Sequence, residues 1–131
     1  MIHPDAIPLT TIVVEFKLTN ANAGRGGSFW KSAKDRKDFE SQLRAEGLVF
    51  KPIPHPVQLR VTRLLGPRER YWDPDSCGRG NFKEFCDAAV VCGWFHDDCG
   101  EWIRGVYFEQ EKTDRKTSAV RIEIFDATAR T

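Results

Sequence analysis

The sequence predicts a two-layer α+β domain, a mixed four-stranded sheet with two helices packed on one face. Three observations lead there. Four short stretches alternate apolar and polar residues at the period of a half-buried strand. Two others repeat apolar residues at helical spacing, and each runs into a glycine. The order is strand, helix, strand, long loop, helix, acidic turn, strand, strand, which suits a mixed sheet covered by helices.

The first strand is read from Ile12, Val14, Phe16 and Leu18, alternating with Val13, Glu15 and Lys17. Residues 20–27 are too rich in Gly and Asn for regular structure. A first helix is expected from Ser32 to Glu46, with Asp35 completing an acidic variant of a capping box. Its apolar stripe is Ala33, Phe39 and Leu43, and Gly47 stops it. Pro52, Pro54 and Pro56 remove backbone donors and make a connector.

Val57, Leu59 and Val61 give the second strand. Residues 66–79 are polar, contain Pro67, Pro74 and Gly78, and read as a loop. Phe82, Phe85, Cys86 and Ala89 fall at helical spacing until Gly93, with Cys86 and Cys92 both inside that helix. Trp102, Arg104, Val106 and Phe108 suggest a third strand, and Val120, Ile122 and Ile124 a fourth. The polar residues 109–118 between them predict a turn and hence a final hairpin.

Bulk properties narrow the function classes. At 131 residues, 40% apolar and 30% charged, residues 1–131 fit a single domain of ordinary composition. Net charge is only +1, so any basic surface must come from uneven distribution. No apolar run approaches the roughly 18 residues a membrane span needs. The first eight residues lack a basic segment followed by an apolar one, so a cytoplasmic protein is expected. Cys77, Cys86, Cys92 and Cys99 follow no zinc spacing and are read as reduced thiols.

The chemistry-bearing stretch runs from Trp72 to Asp98. Asp73 and Asp75 stand in the loop before the second helix, and His96, Asp97 and Asp98 stand after it. A helix followed by a returning turn can bring such acids together. Phosphodiester hydrolysis needs neutralisation of phosphate oxygens and an activated water, which magnesium held by carboxylates supplies. Lys83 shares a helix face with Asp87 and could stabilise the phosphate. Each feature also has an ordinary reading: acids in solvated turns, a surface Lys83–Asp87 ion pair, and His96 resting on Trp94 rather than acting as base or ligand.

The segment Lys83-Glu84-Phe85-Cys86-Asp87-Ala88, followed by Gly93 and Asp97-Asp98, resembles the core of the RusA-type Holliday-junction resolvases. In that family a D-x-D-N-x-x-K-x-x-x-D-A pattern is followed by a glycine and an acid pair. The resemblance covers about Ile12 to Phe125, with only the helix and acidic turn matching closely. One departure is serious: four residues before Lys83, where the family has an acid, this chain has Arg79. An insertion around residues 76–80 would restore the match if the loop folds back.

What the resemblance implies is a RusA-like fold and a magnesium-dependent endodeoxyribonuclease acting on branched DNA in recombination and repair, with manganese as substitute. Asp73, Asp75, Asp97 and Asp98 carry over as metal ligands, and Lys83 as the phosphate-stabilising residue. Asp73, Asp75, Lys83 and Asp98 then form the catalytic set, with Asp87 bracing it. The resemblance also implies a homodimer, since a four-way junction has two-fold-related strands.

Candidate DNA contacts are Arg25, Lys31, Lys34 and Lys37 around a glycine-rich loop, with Phe29 and Trp30 offering stacking faces. Arg63, Arg68 and Arg70 lead into Asp73 and could meet backbone phosphates. The alternative reading of Lys34, Arg36 and Lys37 is a solvated helix face. Two other functions remain open: an inactive DNA-binding relative that has lost its loop acids, and a phage or prophage accessory protein using Trp72, Trp94 and Trp102 as an interface.

Overall fold

The computed structural model describes residues 2–20, 29–73 and 76–128, so Arg25 and Asp75 lie outside the described residues. The elements are β1 (Thr10–Val14), α1 (Phe29–Ala45), β2 (Val57–Leu65), α2 (Phe82–Val91), β3 (Ile103–Lys112) and β4 (Ala119–Asp126). They form one four-stranded sheet in the order β1-β4-β2-β3, with β2 and β3 parallel and β4 antiparallel to both β1 and β2. The α+β class and the mixed sheet are as expected.

Register places the apolar alternation on a single face. Ile12 and Val61 both stand opposite Ile122, and Leu59 stands opposite Ile124. These side chains join Phe39 and Leu43 of α1 and Phe85, Ala88 and Ala89 of α2 in one buried core. The two helices also pack on each other, so both cover that face. The opposite face carries a charge ladder instead. Arg60 donates to both carboxylate oxygens of Glu123 at 2.8 and 3.0 Å and lies over the Phe125 ring. Arg121 pairs with Glu111 at 2.9 Å.

Both helices stop at the glycines the sequence marks. Gly47 has φ 73° and Gly93 has φ 85°, the left-handed conformation of a helix C-terminus. Leu48 N–H donates back to the Leu43 carbonyl at 2.8 Å, and Trp94 N–H to the Ala89 carbonyl at 2.9 Å. A side chain on Gly93 would also collide with the Phe50 carbonyl.

Five expectations need correction. The expected hairpin does not form, because β4 lies between β1 and β2 while β3 is at the edge. The physical reason is burial: β4 hides Val120, Ile122, Ile124 and Phe125 almost completely, whereas β3 is polar enough to keep one edge unpaired. The second correction follows, since β3 runs on through Lys112 by pairing with β2 where a turn was expected. Third, β1 ends at Val14, opposite Val120, one residue from the start of β4 at Ala119. Phe16 then leaves the ladder to stack on Phe85 at 4.9 Å and meet Phe39 edge-on at 5.0 Å. Fourth, α1 starts at Phe29, so Ser32 is no cap, and its hydroxyl donates to Glu84 of α2 at 3.1 Å. Last, Cys92 caps α2 rather than lying within it.

Candidate functional site

Gly93 turns the chain back along α2. Trp94, about 1% exposed, fixes the return: its indole N–H donates to the Leu48 carbonyl at 2.8 Å, and its ring meets Phe85 edge-on at 5.6 Å. The Cys99 carbonyl then accepts from Trp102 and Ile103 N–H, closing the turn into β3. The result is that Asp98, from the turn, arrives beside Lys83 in the first turn of α2.

Lys83 Nζ lies 3.8 Å from Asp98 Oδ2 and 3.6 Å from Asp87 Oδ1. Arg36, reaching over from α1, lies 3.8 Å from the other oxygen of Asp87. Two carboxylates therefore share one ammonium, and a guanidinium braces the second of them. Lys83 is largely exposed, so these ion pairs are loose and the ammonium can turn to an incoming anion. Beneath them Cys86 is buried, and burial first, then the charges of Asp98 and Asp87, pushes its thiol far above the usual range. That thiol stays protonated and is no nucleophile.

The other acids are placed differently. Asp97 Oδ1 accepts the Asp98 backbone N–H at 2.8 Å, which ties one of its oxygens to the turn itself. Asp73 is exposed, and its carbonyl accepts the Ser76 N–H at 2.9 Å. Among the described residues, no three His, Cys, Asp or Glu side chains gather as a metal site. His96 rests on Trp102, with ring centroids 4.4 Å apart, rather than on Trp94.

A buried clamp holds the segment that leads to Asp73. Gln110 of β3 pairs with both the N–H and the carbonyl of Trp72, each at 2.9 Å. Arg63, only 5% exposed, stacks 3.6 Å from the Trp72 ring centroid and donates to the Arg70 carbonyl at 2.8 Å. Burial pulls the Arg63 guanidinium below its ordinary range, against the pull of Glu69. Arg63 is thus a structural cation, and the expectation that it meets a phosphate is corrected. Arg68 and Arg70 are exposed.

On α1, Lys31 pairs with Asp35 at 3.0 Å and Lys34 with Asp38 at 2.8 Å, while Lys37 is exposed. An open cleft of about 500 Å³ separates this helix from the start of α2 and includes Lys17, Lys31, Arg79, Asn81 and Glu84. Asn81 closes its floor, exchanging hydrogen bonds of 2.9 Å with Thr19: its side-chain oxygen takes the Thr19 N–H, and its N–H goes to the Thr19 hydroxyl. Sequence reasoning missed Arg36 and Asn81 as site-building residues. Their partners are distant in the chain, and no local pattern signals them.

No protein-family model matches this chain, and no curated protein matches it.

Proposed function

We propose that the protein is a metal-dependent endodeoxyribonuclease that nicks branched DNA such as Holliday junctions, in recombination or repair. The observation behind this reading is the meeting of Lys83 with Asp98 and Asp87, where a helix start and an acidic turn converge. Metal-assisted hydrolysis of a phosphodiester uses carboxylates and a cationic side chain at an open surface, and this cluster has both.

The carboxylates fit magnesium, or manganese, in donor type: both prefer hard oxygen ligands and retain several waters, so few protein groups suffice. Asp98 would be the central ligand, with Asp97, Asp73 and Asp75 completing the set as their loops allow. When bound, such an ion would neutralise charge on the phosphate and activate a water. Lys83 would hold a phosphate oxygen or the departing oxygen, because its ammonium lies beside Asp98 and reaches solvent. Asp87, held by Arg36, would orient Lys83. Lys31, Lys34 and Lys37, with Arg68 and Arg70, would meet backbone phosphates, the first two by exchanging their helix partners for DNA. A homodimer would present two such sites to a two-fold junction.

A second reading, an inactive DNA-binding protein, draws on the absence of a three-ligand metal group among the described residues. Cleavage of a labelled synthetic four-way junction, with and without magnesium, separates the two. Wild type should give magnesium-dependent nicks, and Asp98→Asn and Lys83→Met should each lower the rate by about 100-fold or more with unchanged melting temperature. Junction binding without nicking by wild type supports the second reading, and neither binding nor nicking overturns both.

A further inference from the structure

The C-terminal ends of β2 and β3 hold two surface loops rigidly side by side. Thr113 donates through both its N–H and its hydroxyl to the Leu65 carbonyl, at 2.7 and 2.8 Å. The Lys112 ammonium donates to the carbonyls of Gly66, Pro67 and Glu69. Gly66 N–H closes the turn onto Glu69 Oε1 at 2.9 Å. A Cβ on Gly66 would stand 2.8 Å from the Arg115 carbonyl oxygen, so the two loops touch backbone to backbone.

Between these loops and the chain leaving β1 lies an open cleft of about 530 Å³. Lys17, Arg68, Arg115 and Lys116 line it, with Glu69 and Asp114 as its acids. Glu69 is already engaged. Burial alone would raise its carboxyl, but the Gly66 N–H, the Ser118 hydroxyl and Arg63 hold it below the usual range. Arg115 pairs with Glu15 at 2.9 Å through one terminal nitrogen, while its buried Nε has no hydrogen-bond partner among the described residues. Arg68 and Lys116 are exposed at the rim. On a chain of net charge +1, four cations from three separate segments therefore converge on one mouth.

We propose that this cleft binds the phosphodiester backbone of a DNA duplex arm. The proposal rests on the nuclease reading, and it extends the DNA surface to Lys17, Arg115 and Lys116. A single small anion would meet one or two of these side chains. A polymer whose charges recur every few ångströms can meet several at once and releases a counterion at each. The loops are pinned by backbone hydrogen bonds, so little ordering opposes binding. The cleft lies at the end of the sheet from which the chain leaves β2 toward Asp73.

The test is fluorescence anisotropy with a labelled four-way junction in EDTA, between about 50 and 200 mM salt. The proteins are wild type, Arg68→Gln/Lys116→Gln, and a control with Lys51→Gln/Arg104→Gln, two exposed cations outside the cleft. Losing two phosphate contacts should lower the slope of log affinity against log salt by about 1.8, at roughly 0.9 per contact. Over that fourfold salt range wild type should then lose roughly 12-fold more affinity than the cleft variant. The control should keep the wild-type slope. An unchanged slope in the cleft variant overturns the proposal, as does an equal drop in the control or no binding by wild type. Nicking is scored separately with magnesium: a lowered slope without wild-type nicking keeps the cleft and discards the nuclease, while nicking with an unchanged slope does the reverse.

Discussion

Replacing Arg63 by methionine should destabilise the fold by about 3 kcal/mol, working from what the guanidinium touches. Its stacking on Trp72 at 3.6 Å is a desolvated cation–π contact, of about 2 kcal/mol. Its donations to the Arg70 carbonyl at 2.8 Å and Gln110 Oε1 at 2.9 Å are charge-assisted, each contributing about 1.5–3 kcal/mol. Opposing these is the desolvation that pulls its own pKa down, which methionine relieves. Glu69 keeps its bonds to Gly66 and Ser118, so it is not left bare. The balance sits at the lower end of the roughly 3–5 kcal/mol seen when one member of a buried pair is removed. With a urea slope of about 2 kcal/mol/M, the midpoint should fall by about 1.5 M, read by far-ultraviolet circular dichroism. Amide exchange should rise most in residues 70–73, and Arg63→Lys should restore less than half the loss because it lacks the planar fork. A loss under about 1 kcal/mol, or unchanged exchange in residues 70–73, would refute the clamp.

Thr62 is about 1% exposed, and its hydroxyl has no hydrogen-bond partner among the described residues, so Thr62→Val should stabilise by about 1 kcal/mol in the same urea assay. Destabilisation there would mean that the hydroxyl is satisfied. The Arg60 hydrogen bonds, outweighing burial, hold the Glu123 carboxyl below its ordinary range. Folding then favours the ionised form, so this stability is fully present above the ordinary carboxylate value of 4.5 and is lost as pH falls through the lower folded value. Glu123→Gln should therefore lower stability at neutral pH and flatten its fall in acid. A parallel acid profile in the two proteins would count against the pairing.

The candidate site was only partly legible in the sequence. Lys83 and Asp87 are one helical turn apart, so their pairing follows from spacing alone. Asp98 joining them required the chain to reverse at Gly93 and Trp94 to anchor on Leu48, of which the sequence offers only the glycine. Arg63 shows the opposite failure. It occupies the strand alternation's inward side, beside Gln110, but a charged residue amid Arg68 and Arg70 reads as surface. Only the loop that folds over it supplies the Trp72 ring and the carbonyls that make its burial tolerable.

By itself the sequence determined the class, the number and type of elements, the stops at Gly47 and Gly93, and which side of β1, β2 and β4 faces the helices. Those are local properties, set by side-chain period and by the few residues that tolerate a left-handed backbone. Tertiary structure decided that β4 enters between β1 and β2, that β3 extends along β2 to Lys112, and that Asp98 meets Lys83. An alternating pattern names a strand's buried face but not its neighbours. Neighbours are chosen by how much surface the whole sheet hides when its most apolar strand takes a central place.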